Sequence, residues 1–114
     1  MPLTKPVAGS PDVTITTTVP VSQVKSTVAT RSQVDVSTDP VTLLAVNAAR
    51  LGAAFYNDAA TTCILALGAS PLSSDYTVKM IAGAYFELPT AYTGIITGLW
   101  DGADSGHMMV TELT

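Results

Sequence analysis

The stretch YTVKMIAGAYFELPTAYTGIITGLW, residues 76–100, decides the fold class. In residues 76–81 the side chains of Tyr76, Val78 and Met80 fall on one face, a period of two that specifies an extended strand. Gly83 separates this run from a second short one at residues 85–88, and Pro89 opens the connection 89–93. Residues 94–100 then carry Ile96 and Trp100 on one side, with Gly94 and Gly98 as points where another chain segment can approach closely. Short alternating runs at this spacing, cut by glycine and proline, read as antiparallel strands of a small β-domain.

The same grammar extends in both directions. Residues 53–56 lead into Asn57 and Asp58, which read as a turn pair. Residues 61–67 (TTCILAL) form the next apolar run, ending at Gly68 and followed by a loop at 69–74. A Gly/Asp turn occupies 101–106, and residues 107–113 close the chain as a last strand. One segment is ambiguous. Asp39 and Pro40 before VTLLAVNAARLG supply a helix cap and a first-turn proline, with Gly52 as a stop. Leu43, Leu44 and Val46 are too few for a helical apolar stripe, so the expectation is a strand at 41–46 and a turn through 47–51. The expected fold is all-β: a small antiparallel β-sandwich, jelly-roll or β-tulip-like, over residues 41–114.

Residues 1–40 differ in kind. Every aromatic side chain of the protein lies after Pro40, and the first forty residues offer Val, Thr, Ser and Pro without a group large enough to nucleate a core. Val13, Ile15, Val19 and Val21 fall on the alternating face of a β-branched run interleaved with threonine, and a second alternating patch, Val34 and Val36, follows Val24 and Val28. Pro2, Pro6, Pro11 and Pro20 forbid helix and confine any strand to an edge. Such a segment cannot fold alone. It is expected to be an extended N-terminal arm that docks its Val/Ile face on a partner or a neighbouring subunit.

Composition excludes several function classes. Apolar residues make up 47% and charged residues 12%, a low charge for a surface fully in water. The net charge is -4; Lys5, Lys25 and Arg31 cancel Asp12, Asp35 and Asp39, so the excess sits on residues 41–114. Five scattered basic residues make no phosphate-tracking stripe, and nucleic acid is not an expected partner. The start MPLTKPVAGSPD has no apolar core of signal-peptide type, and the longest uncharged run, 59–74, is broken by Gly68 and Pro71, so no membrane span is expected. A single cysteine fits a reducing cytoplasm as the place of synthesis.

No catalytic constellation stands out. Cys63 and His107 are the one Cys–His pair available, and a thiol inside TTCILAL reads as a small buried hydrophobe. Asp101 and Asp104 lie in DGADSG, which lacks the further oxygen ligands of a calcium loop and reads as a hairpin turn. Glu87 stands alone among apolar neighbours, with Arg50 or Lys79 as candidate partners. Tyr56, Tyr76, Tyr85, Tyr92 and Trp100 read as core and rim of the β-domain, with stacking on sugar rings as the competing use. No cofactor or metal is expected.

An ordered series of blocks carries a resemblance: NAARLG (47–52), FYND (55–58), LALG (65–68), YTVK (76–79), GAYFELP (83–89), YTG (92–94), ITGLW (96–100) and VTEL (110–113). Together they resemble the head decoration or cement proteins of tailed bacteriophages, and the related domains attached to head fibres. The resemblance implies a β-sandwich on the outer surface of the virion head, assembled in the host cytoplasm, without enzymatic activity. It also implies a homotrimer that binds the major capsid protein, with arms reaching over capsid subunits to stabilise the shell. The competing expectation is a tail or head-fibre module that binds host-surface glycans through its aromatic residues.

Overall fold

The computed structural model describes residues 24–114. Eight strands follow one another: β1 (Ala29–Asp35), β2 (Val41–Leu44), β3 (Gly52–Asp58), β4 (Cys63–Leu67), β5 (Val78–Met80), β6 (Tyr85–Glu87), β7 (Ile96–Trp100) and β8 (His107–Leu113). They form two four-stranded antiparallel sheets, β1-β8-β3-β6 and β2-β7-β4-β5, packed into a sandwich. Strand β1 pairs with β8, β2 with β7, β3 with β6 and β4 with β5. That is one long antiparallel hairpin rolled up on itself, so the strand order is that of a jelly roll.

Alternation fills the space between the sheets. In β3, Ala53, Phe55 and Asn57 are buried while Tyr56 and Asp58 are exposed; in β8, Met108 and Val110 are buried. From the other sheet come Leu43, Cys63, Leu65, Met80, Ile96 and Trp100. Phe55 meets Phe86 of the neighbouring strand at a ring-centroid distance of 6.2 Å, in a tilted pair. Gly98 lies opposite Leu65 in β4, and a Cβ there would sit 3.0 Å from Leu43 Cδ1 and 3.2 Å from Cys63 Sγ. The close approach read from the sequence is therefore real at this glycine.

The ambiguous segment is a strand, shorter than expected. Strand β2 ends at Leu44 after a register irregularity between Thr42 and Leu44. The Asn47 side chain then accepts a hydrogen bond from the Ala49 amide at 3.0 Å, and its carbonyl accepts one from the Arg50 amide. This local turn closes the connection that helix propensity would have continued. Asn57 and Asp58 need correction: they do not form the turn but complete β3, and Asn57 points into the core because it shares parity with Ala53 and Phe55.

Tight backbone packing marks the start of β8. A Cβ on Gly106 would lie 2.5 Å from Ala59 Cα and 2.6 Å from the Asp58 carbonyl oxygen, both main-chain atoms. Gly106→Ala is expected to lower stability by about 1–3 kcal/mol in urea unfolding, the usual cost of overpacking. Gly52→Ala, whose Cβ would meet Leu113 at an ordinary 3.5 Å, is the control expected to stay close to the parent.

Candidate functional site

The residues expected to end the N-terminal arm belong to two environments. Val24 and Val28 are exposed, at 72% and 53%. Val34 and Val36 are half-buried and pack against the domain's own core, Val34 opposite Met108 in the sheet. Strand β1 therefore ties this part of the arm into the sandwich. Val13, Ile15, Val19 and Val21 lie outside the described residues.

Among the described residues strand β1 is the edge of its sheet, and it is in continuous register with β8 over all its seven residues. Thr30, Ser32 and Val34 stand on the core side, opposite Glu112, Val110 and Met108, yet Thr30 and Ser32 remain exposed, so β1 overhangs the second sheet. Arg31, Gln33 and Asp35 stand on the outer side and are exposed too. Val28 and Thr114 exchange backbone hydrogen bonds, and the Val36 amide donates to Gly106. In an antiparallel ladder this parity turns the N–H and C=O groups of Ala29, Arg31, Gln33 and Asp35 away from β8, toward the open edge. An open recess of about 530 Å³ runs along this strand, lined by residues 29–33 and Met109.

The outer face of the same sheet carries an aromatic pair. Tyr56 lies directly opposite Tyr85 on one side and Met109 on the other, and the tyrosines are 41% and 62% exposed. Tyr85 donates a 2.9 Å hydrogen bond to the Glu87 carboxylate, and that bond pushes its phenol pKa up. Glu87 thus pairs with neither Arg50 nor Lys79. The other aromatics divide: Tyr76 is exposed, Tyr92 is half-buried with its hydroxyl donating to the Ile95 carbonyl, and Trp100 is 2% exposed. Trp100 is a core residue with no face to offer a sugar.

Two buried polar groups that periodicity alone could not interpret hold the sandwich together. The Arg50 side chain is fully buried and its Nε donates to Glu112 at 2.8 Å. Its Nη1 donates to the carbonyls of Tyr92 at 3.0 Å and Gly94 at 2.8 Å, and its Nη2 to the Ala45 carbonyl. The planar fork gathers two loops and the end of β8 at one end of the molecule. Asn57 does similar work inside the core. Its amide nitrogen donates to the carbonyls of Thr61, Met80 and Ile81, while its oxygen accepts from the Trp100 indole at 3.2 Å. The indole can only donate, which fixes the amide orientation. The alternation of FYND could have placed Asn57 inward; nothing local could have matched Arg50 with a carboxylate 62 residues away.

The nucleophile candidates are not brought together. Cys63 is buried, its thiol donates to the Ile64 carbonyl, and burial pushes its pKa up to about 12, so it stays a neutral thiol. His107 is partly exposed in the other sheet and lies 3.3 Å from the Asp35 carboxylate. The acidic turn is occupied by main chain. Asp104 accepts from the amides of Ala60 and Ser105, and Asp101 accepts from the Thr62 amide. Among the described residues no group of three or more metal-type ligands converges.

No protein-family model matches the sequence, and neither a curated protein nor a solved structure matches it.

Arg50→Lys keeps the charge but loses the fork. It is expected to lower the unfolding free energy by about 1–3 kcal/mol, the cost of leaving buried carbonyls without a donor, read as a shifted urea midpoint. Asp104 gives a pH prediction. The Ala60 amide hydrogen bond, then that from Ser105, holds its carboxyl below the ordinary 3.8. A depressed folded-state pKa stabilises the fold above the ordinary value, and this contribution disappears as pH falls through the lowered one. Asp104→Ala should therefore be less stable than the parent at neutral pH and converge with it in strong acid, as followed by tryptophan fluorescence.

Proposed function

We propose that this chain is a structural component of a tailed-phage virion: a capsid decoration or cement protein without enzymatic activity, bound to the major capsid protein on the outer surface of the head. The observation that carries the reading is the anchorage of the arm. Strand β1 is zipped along its whole length to β8, an interior strand flanked on its other side by β3. Tension on the preceding residues would be transmitted into the centre of a sheet rather than into a flexible tether. The Val/Thr alternation of residues 13–21 suits strand addition to a partner, with backbone hydrogen bonds and a buried β-branched face supplying adhesion. The ordered sequence blocks and the jelly-roll topology, an architecture recurrent in viral capsid and lectin domains, support the reading by analogy. The assembly it implies is a trimer at local three-fold positions, where many weak contacts sum over a symmetric shell.

In this reading, purified mature heads carry the protein in a fixed ratio to the capsid subunit. Removing residues 1–23 while retaining β1 abolishes head binding and leaves thermal unfolding of the domain unchanged. Heads without the protein, or binding undiminished by the deletion, would overturn the proposal.

A glycan-binding tail or head-fibre module has one observation in its favour, the exposed Tyr56–Tyr85 pair beside Glu87. Stacked sugar rings use such flat aromatic platforms with a nearby carboxylate acceptor. Saturable glycan binding by the full chain, lost in Tyr85→Ala, would favour this reading over the first.

A further inference from the structure

Among the edge strands of the two sheets, β1 has seven residues, whereas β6 and β5 have three each and β2 has four. Short edges are poor templates for pairing, and among the described residues β1 is the one long edge, without a proline or a bulge. Its outward-facing sequence is also self-complementary. Arg31, Gln33 and Asp35 project their side chains on one face and turn their N–H and C=O groups to the open edge.

We infer that β1 pairs antiparallel with β1 of a second copy of this chain, about a two-fold axis through Gln33, joining two four-stranded sheets into one continuous sheet. The backbone parity allows neighbouring axes at Ser32 or Val34, and charge decides among them. An axis at Ser32 sets Arg31 opposite Gln33 and Asp35 opposite Ala29; an axis at Val34 sets Arg31 opposite Ser37. With the axis at Gln33, Arg31 faces Asp35 of the second copy and Asp35 faces its Arg31, in mutually bonded positions flanking a Gln33–Gln33 pair. Cross-strand opposite charges favour that register and disfavour slippage. On the core side, Ser32 lies opposite Val34 of the second copy and Thr30 opposite its Val36. The overhanging, exposed positions of β1 thereby gain β-branched neighbours. The contact is isologous, so it closes at two chains. It does not rest on the head-binding reading: a trimer with open β1 edges would join a second trimer, and an even copy number is the signature in either case.

Light scattering with size separation on the full-length chain tests this directly. The expected result is an even-numbered species whose mass halves in Gln33→Pro, a change that removes only an outward N–H, while thermal unfolding still shows a folded domain. Arg31→Glu should weaken the assembly, and combining it with Asp35→Lys should restore it. Register is read by oxidative cross-linking. Gln33→Cys places two thiols across the axis and should form an intermolecular disulfide, whereas Arg31→Cys places them about 14 Å apart along the pair and should not. The buried Cys63 does not compete. A monomer at all concentrations would assign the edge to another strand, the chain's own N-terminal stretch or a different protein's, and would overturn the inference. So would a bare trimer, an even-numbered species whose mass Gln33→Pro leaves unchanged, or Arg31→Cys cross-linking as readily as Gln33→Cys.

Discussion

A fully buried guanidinium is costly unless each of its donors finds an acceptor, and the end of this sandwich is arranged around meeting that demand. Arg50 reaches Glu112 of β8 and the carbonyls of Ala45, Tyr92 and Gly94. These acceptors come from the β2–β3 connection, the β6–β7 connection and the last strand. Three segments distant in sequence are thus held in one arrangement, and the open ends of both sheets are fixed relative to each other. At the far end, Asp101 and Asp104 do the corresponding work with weaker, exposed contacts to the 60–62 turn. Between the two ends lies the apolar core, with the Asn57–Trp100 network set inside it.

Much of this was legible beforehand because a sandwich writes its pattern locally. Period-two alternation gave the strands, and the glycines marked close approach where Gly98 meets Leu43 and Cys63. The competing helix at residues 41–52 lost because its apolar side chains form a short two-sided run, not a stripe. What was not legible depends on partners far along the chain. Asn57 next to Asp58 has the composition of a turn, and only the buried Trp100 indole and three carbonyls explain an asparagine inside the core. Glu87 finds a tyrosine two residues away in place of the cations proposed for it. Trp100, the largest aromatic, is spent on the core and leaves Tyr56 and Tyr85 as the exposed pair of the outer face.

Alternation also has a blind side. It tells which face of a strand is apolar but not what covers it, and so Val24, Val28, Val34 and Val36 all fall among the residues expected to dock on a partner. In the folded chain the first two are exposed and the last two rest on the domain's core. The change of environment occurs within β1, where the strand leaves the shelter of the second sheet. A segment of this kind is simultaneously part of a domain and available to a neighbour.

The position of β8 has a consequence for how the sandwich closes. The last of the eight described strands in sequence order is an interior strand, seated between β1 and β3. The β1-β8-β3-β6 sheet therefore cannot close until β8 has been made, and the β1–β8 pairings are among the most sequence-distant of the described residues. Topologies of this type fold slowly, since long loops must close before any pairing rewards them. Without residues His107–Leu113, β1 would have no strand to pair with among the described residues. Strand β8 thus works as a latch: β1 is held in a closed sheet only once the last strand of the sandwich is in place.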